Sequence, residues 1–326
     1  MKTTLNWGLL STARINRKII PAILASKRAR LLAVASRTQT NAEEYARAWK
    51  IPRAYGSYEA LLSDPDIDVI YNPLPNHLHA EWTIRAVQAG KHVLCEKPIT
   101  LSLEAMDAII AAAQQHNRVV AEAFMYRHHP KTLAAKKVIE SGDLGKIRLI
   151  RGSFSFVLDR PDDYRNKPEQ GGGSLWDIGC YPVSYTRYLL GMEPLEVFGW
   201  QVNNRQGADE TFVGQLRFPD GIYAQFDSSF AIPYHTFMEV VGAEGTLVIP
   251  TPFAPGKNEK MFLTKDGKTK TLTIPGEDLY LGEINDMASA ALDGAPPRMS
   301  LADSRANLAV LLALYESART GRPVSL

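Results

Sequence analysis

The run Val93-Leu94-Cys95-Glu96-Lys97-Pro98 ends in a carboxylate and an ammonium, and the proline after them can continue neither a strand ladder nor a helix. Lys97 therefore belongs at the carboxyl end of a strand, the edge at which open α/β sheets bind their ligands. An ammonium at that address either polarises a reacting oxygen or is a solvated surface lysine. A second stretch holds candidates for proton chemistry. Gly171-Gly172-Gly173 leads into a helix on which Asp177 and Tyr181 stand four apart, so the spacing predicts one shared face. A phenol beside a carboxylate can exchange a proton at working pH if a cation draws its pKa down from about 10. Lys97 is the candidate cation. A tyrosine simply packed in a helix turn is the other reading of the same residues.

These residues need a scaffold, and residues 1–124 read as one. Apolar runs at 5–10, 31–35, 51–55, 67–71, 93–96 and 119–124 alternate with helical patterns, which predicts a doubly wound parallel sheet of the α/β class. The turn after the first strand is where a dinucleotide-binding fold carries G-x-G-x-x-G. Here it reads Ser11-Thr12-Ala13-Arg14-Ile15-Asn16, without any of the three glycines. Small Ser11 and Ala13 still allow close approach, and the Ser11 and Thr12 hydroxyls could cradle phosphate; an ordinary βα turn fits equally well. The second strand ends in Ser36-Arg37, where an acidic residue would suit the ribose of NAD, so this pair favours the 2′-phosphate of NADP(H) over NAD(H).

Thr40 with Glu43 makes a capping box for the next helix, and Ser57 and Ser102 cap two more. Asn72-Pro73-Leu74-Pro75-Asn76 crosses the carboxyl edge of the sheet, and Met125-Tyr126-Arg127-His128-His129-Pro130 leaves the last strand there. Arg127 lines either a nicotinamide or substrate pocket or the seam between domains. His77 and His79 lie two apart without Cys or Glu partners at ligand spacing, so no metal site is expected.

From residue 145 the pattern changes. Strand patterns at 146–156, 196–203, 211–218, 222–230, 236–241, 246–249 and 260–272 are broken by turns such as Pro219-Asp220-Gly221 and Lys265-Asp266-Gly267. They predict a large, mostly antiparallel sheet in an α+β domain over residues 125–326, with the C-terminal helix free to pack back on the first domain. Trp200, Phe212, Phe226 and Phe230 are expected on an apolar sheet face that a second copy of the chain covers; covering helices are the alternative.

The totals narrow the classes. A chain of 326 residues is long for one core, and 45% apolar with 22% charged residues is ordinary for a globular protein. A net charge of +2 without a basic tract argues against nucleic acid, and no apolar run approaches the length of a membrane span. Two cysteines fit a reducing, cytoplasmic compartment better than a disulfide framework.

Glu96-Lys97-Pro98, the Asn72-Pro73 loop with Asn76-His77 and His79, and Gly171-Gly172-Gly173 followed by Asp177-Ile178-Gly179-Cys180-Tyr181 together resemble the glucose-fructose oxidoreductase, inositol dehydrogenase and rhizopine-catabolism (GFO/IDH/MocA) family, from Trp7 to the carboxyl terminus. The resemblance implies an amino-terminal Rossmann domain and a carboxyl-terminal sheet domain that forms a homodimer or homotetramer. It also implies a nicotinamide cofactor and sugar, polyol or diol substrates. Many members carry histidine where this chain has Tyr181. The tyrosine form resembles the branch of dimeric dihydrodiol dehydrogenases, NADP-dependent xylose dehydrogenases and glucose-fructose oxidoreductase.

By that resemblance Lys97 and Tyr181 match the catalytic lysine and tyrosine, and Asp177 the supporting acid. Ser11, Thr12, Ala13, Arg14, Ile15, Ser36, Arg37, Asn72, Leu74, Asn76, His79, Glu96, Lys97 and Arg127 are the cofactor-binding candidates. The departure from the family pattern is the first turn. The expected activity is NADP(H)-dependent hydride transfer between nicotinamide and a hydroxyl or carbonyl carbon of a sugar-like substrate. A non-enzymatic sugar or dinucleotide sensor, and a lyase or glycosidase that recycles its cofactor, are alternatives on the same fold.

Overall fold

The computed structural model describes residues 2–326, and the chain divides into two compact units. One holds the chain up to Met125 together with Tyr280–Ser304; the other holds Tyr126–Leu279 and Arg305–Leu326.

In the first unit, β1 (Leu5–Leu10), β2 (Ala29–Ala35), β3 (Arg53–Tyr55), β4 (Val69–Asn72), β5 (His92–Glu96) and β6 (Val120–Ala123) form one parallel sheet in the order β3-β2-β1-β4-β5-β6. The connections are α1 (Asn16–Ala25), α2 (Gln39–Trp49), α3 (Tyr58–Leu62), α4 (His79–Gln88) and α5 (Leu103–Gln115). β4 and β6 are buried at every residue, the pattern of a sheet covered on both faces. Because strand order reverses between β1 and β4, the loops that follow them part there, at the carboxyl edge.

Ser57 and Ser102 cap α3 and α5, accepting from the Ala60 and Ala105 N–H groups at 3.1 and 3.2 Å. The capping box at Thr40 and Glu43 does not form. Thr38, in extended backbone, is the cap of α2 and accepts from the Asn41 N–H at 3.3 Å, while Glu43 accepts from the Gln39 amide at 2.8 Å. Only the residue just outside the helix has the backbone shape to reach an orphan N–H, and Thr40 is already inside. The helix Leu281–Asp293 also belongs to this unit. Its Asn285 accepts from Ser26 at 2.7 Å, its Asp293 pairs with Arg28 at 2.6 Å, and Ile284, Met287 and Ala288 join the core around Trp7 and Tyr71.

The second unit opens with α6 (Pro130–Glu140), a helix missed in the sequence, with Pro130 in its first turn and the His129 ring accepting from the Lys131 N–H at 3.1 Å. β7 (Ile147–Ser155) follows, then a π turn at Leu175–Gly179 that runs into α7 (Cys180–Leu190). β8 (Glu196–Asn203), β9 (Asp209–Arg217), β10 (Tyr223–Ser229), β11 (His235–Gly242), β12 (Gly245–Pro250), β13 (Asn258–Lys265) and β14 (Lys268–Pro275) complete most of a sheet. With the helix at Leu281–Asp293 counted as α8, α9 (Leu301–Thr320) leads to β15 (Val324–Ser325), and the sheet order is β14-β13-β12-β11-β7-β10-β9-β8-β15. β7 and β10 run parallel, the other neighbours antiparallel.

The expected exposed face needs correcting. Trp200 stands opposite Val213, so Phe212, one residue away, points to the other side. Phe212, Phe226 and Phe230 are buried, and Phe212 meets Tyr315 of α9 at 5.7 Å. Trp200, Val202, Val213 and Tyr223 are large apolar side chains that the sheet exposes.

Candidate functional site

In the first unit the carboxyl edge collects the expected residues. Ser11 leaves β1 with φ of 85°, a left-handed conformation that a side chain adopts only under constraint. Asn16 supplies the constraint by donating to the Ser11 carbonyl at 2.9 Å, while the Ser11 N–H reaches the Ala35 carbonyl at 3.1 Å. The Ser11 hydroxyl is buried and has no hydrogen-bond partner among the described residues. Ala13, Arg14 and Ile15 pass their carbonyls to the N–H groups of Asn16, Arg17 and Lys18, so the turn winds directly into α1 with Thr12 and Arg14 at its mouth. Ser36 is buried at the end of β2, its N–H on the Tyr55 carbonyl at 2.9 Å, and Arg37 next to it is exposed. Burial raises the Tyr58 phenol's pKa, and the charge of Arg37 works against that rise.

Lys97 follows β5, as its stretch predicts, and its backbone is braced just beyond it. The Lys97–Pro98 bond is cis. The Pro98 carbonyl faces the His79 Nδ1 at 2.7 Å, and the Ile99 N–H donates to the buried Glu122 at 2.9 Å. The other ring nitrogen of His79 lies 2.6 Å from the Leu74 carbonyl, so this histidine ties the loop after β4 to the Lys97 turn. Burial takes His79 down to about 4, although both carbonyls favour the charged ring; at neutral pH burial wins and the neutral ring donates to one of them. Both ring nitrogens of His79 thus face carbonyls of the loops that form the edge. Asn72 gives its amide to the His79 carbonyl at 3.1 Å and the Thr83 hydroxyl at 3.2 Å, and Asn76 is buried. Glu96 accepts from the buried Tyr71 phenol at 2.5 Å; burial first, and the Glu96 charge next, push that phenol well above its ordinary pKa.

In the second unit, Tyr181 is the second residue of α7 and 4% exposed, its ring 5.4 to 5.6 Å from those of Phe154, Phe253 and Tyr126. Asp177 is also 4% exposed and accepts from the Arg165 Nε at 2.7 Å. Arg165 in turn reaches Asp163 at 3.2 Å. The helix expected to carry both Asp177 and Tyr181 is not α-helical throughout: Asp177 lies in the π turn, and α-helix begins only at Cys180. A Cβ on Gly172 would sit 2.6 to 2.7 Å from the carbonyls of Tyr164, Arg165 and Lys167, which explains one of the three glycines. Arg127 is buried against α7, donating to the Ser184 hydroxyl at 3.2 Å with its guanidinium 4.1 Å from the Tyr188 ring centre.

Glu122 and Arg165 were missed in the sequence. A carboxylate within the apolar run 119–124 was the available signal for Glu122; Arg165 had none. Among the described residues no group of three or more His, Cys, Asp or Glu side chains could hold a metal ion.

Comparison with known proteins places these residues in context. A family model described as an oxidoreductase family with NAD-binding Rossmann fold matches residues 5–124, and the GFO/IDH/MocA C-terminal domain matches residues 132–248. The chain is 38% identical to a D-xylose 1-dehydrogenase (NADP(+)) of Haloferax volcanii, over 98% of this chain and 99% of that one. Two solved structures superpose closely. An aldose-aldose oxidoreductase of Caulobacter crescentus, complexed with glycerol, matches with a TM-score of 0.93 at 28% identity, covering 99% of this chain and 100% of that one. The 3-ketoreductase KijD10 of Actinomadura kijaniata, in complex with NADP and TDP-benzene, matches with a TM-score of 0.91 at 29% identity, covering 96% and 98%.

Proposed function

We propose that this chain, which belongs to the GFO/IDH/MocA family of oxidoreductases, is an NADP(H)-dependent enzyme that moves a hydride between nicotinamide and a hydroxyl or carbonyl carbon of a sugar or related polyol or diol. The observation that carries the reading is the brace on Lys97, whose turn is gripped from two sides by His79 and Glu122. A solvated surface lysine needs no such grip; one that must hold its ammonium to a reacting oxygen does.

The residues at the carboxyl edge fit the cofactor. The Ser11 hydroxyl, without a partner among the described residues, and the left-handed turn suit a phosphate, and exposed Arg37 beside Ser36 suits a 2′-phosphate. When bound, the nicotinamide supplies the hydride acceptor or donor. In this reading Tyr181 gives or takes the proton on the substrate oxygen. Lys97 stabilises the phenolate and polarises that oxygen, and Asp177, steadied by Arg165, orients the group. Residues 1–124 bind the cofactor, and residues 125–326 bind substrate and associate with a second copy through the face that exposes Trp200, Val202, Val213 and Tyr223. Cys95 and Cys180 are both buried and neither is in a disulfide, which supports a reducing, cytoplasmic location.

The test is nicotinamide absorbance with NADP and NAD separately, against aldoses, inositols and vicinal diols. Turnover with NADP on an aldose is the expected result. Saturable cofactor binding with no turnover on any of them would replace the dehydrogenase by a sensor, and a tightly held, non-exchanging cofactor would point to a recycling lyase.

A further inference from the structure

The amino end of the π turn is held by a buried bracket that the proton transfer proposed above does not use. Asp209 on β9 is 3% exposed; its Oδ2 accepts from the Leu175 N–H at 2.7 Å and the Ser174 hydroxyl at 2.8 Å. Its Oδ1 accepts from the Tyr315 phenol of α9 at 2.7 Å. The Ser174 hydroxyl lies 3.0 Å from that of Ser228 on β10, so the bracket draws on two strands and a helix. Gly173, with φ of 130°, admits the carboxylate, for a Cβ there would stand 2.0 Å from Oδ1. Burial raises the Asp209 pKa, and the three donors work against the rise by favouring the charged form. A buried carboxyl group that accepts three hydrogen bonds at one turn of chain invites a purpose.

The π turn itself suggests one. It holds an extra residue relative to α-helix, and each helical residue advances the chain by roughly 100° about the axis. Relaxation to α-helix would therefore swing everything after Gly179 by about that angle. Tyr181, the second residue of α7, would turn with it. We propose that Asp209, steadied by Tyr315, is a positioning residue that pins the first N–H of the π turn and so sets the direction in which Tyr181 presents its phenol. This rests on Tyr181 being the proton-transfer group.

Tyr315→Phe removes one O–H donor while leaving the ring that packs against Trp176 at 5.1 Å and Phe212 at 5.7 Å, so the fold should survive. Asp209→Asn keeps the shape without the charge, and Tyr315→Phe carries the test alone should that variant fail to fold. Turnover, substrate KM, NADP affinity and amide hydrogen exchange over residues 174–181 are measured on the full chain in wild type, each single variant, Tyr181→Phe, and Tyr181→Phe combined with Tyr315→Phe.

Tyr315→Phe should cost about tenfold in kcat, the worth of one hydrogen bond to a charged group, with KM and NADP affinity within about twofold. Exchange at 174–181 should quicken. No further loss of turnover should follow in the Tyr181→Phe background, because both changes act through one phenol. Unchanged exchange, or an equal fold loss in both backgrounds, would overturn the positioning role. Full turnover in Tyr181→Phe alone would instead remove Tyr181 from the chemistry, and the two failures are told apart by that variant.

Discussion

Replacing Lys97 by Met keeps most of its stem and removes only the ammonium, so it separates charge from packing. Turnover should fall by roughly 10² to 10⁴, the range that positioned acid and base groups supply. NADP affinity, followed by fluorescence titration, should change little; full turnover in this variant would take Lys97 out of the mechanism. Arg37 tests cofactor choice in the same way. Arg37→Gln should weaken NADP by about ten- to a hundredfold, as loss of a charge-assisted phosphate contact does, and leave NAD almost unaffected. Equal losses for both would show that Arg37 does not read the 2′-phosphate. Lys97, Tyr181 and Asp177 could be singled out as candidates because their types stand out against local apolar, proline or glycine context. Glu122, Arg165 and Asp209 act through Ile99, Asp177 and Leu175, which lie 23, 12 and 34 residues away, and no spacing announces such a partner. His79 was legible as belonging to the edge, but only the fold reveals that both its ring nitrogens face carbonyls there.

Among the elements, the parallel strands and their helices were readable because buried strands are short apolar runs and capped helices declare their starts with Ser57 and Ser102. The cap of α2 shows how close the competition is. Thr38 and Thr40 are two residues apart, and backbone shape decides between them. Thr38→Ala should cost about 1 kcal/mol in unfolding free energy, whereas Thr40→Ala, inside the helix, should be nearly neutral or slightly stabilising. Urea unfolding of the two variants distinguishes them, and a larger loss at Thr40 would restore the capping box. The π turn was not legible at all. A helical pattern of apolar residues at 175–185 is consistent with either winding, and the choice depends on Asp209 and Tyr315, which arrive from β9 and α9.

For the whole molecule, side-chain parity in the second sheet was the weakest inference from sequence: Trp200 and Phe212 look alike, and only the pairing of Trp200 with Val213 sends them to opposite faces. Acid stability tests a different property, the histidines that folding buries. Burial lowers His92 from 6.5 to about 4, with Arg118 adding to the effect, and lowers His79 to a similar value. The His92 Nδ1 accepts from the Val119 N–H at 2.9 Å, which requires that nitrogen to be unprotonated. The unfolded chain thus takes up these protons near pH 6.5 and the folded chain only near 4. Their contribution to stability is complete above the unfolded value, is lost progressively as pH falls through that window, and does not fall further below it. Urea unfolding across the window should show the decline, and His92→Gln, whose amide oxygen can accept the same N–H, should make it shallower. A wild-type stability that stays level from neutral pH down to about 4.5 would mean that these rings are already solvated in the folded chain, since a buried neutral imidazole cannot avoid this linkage.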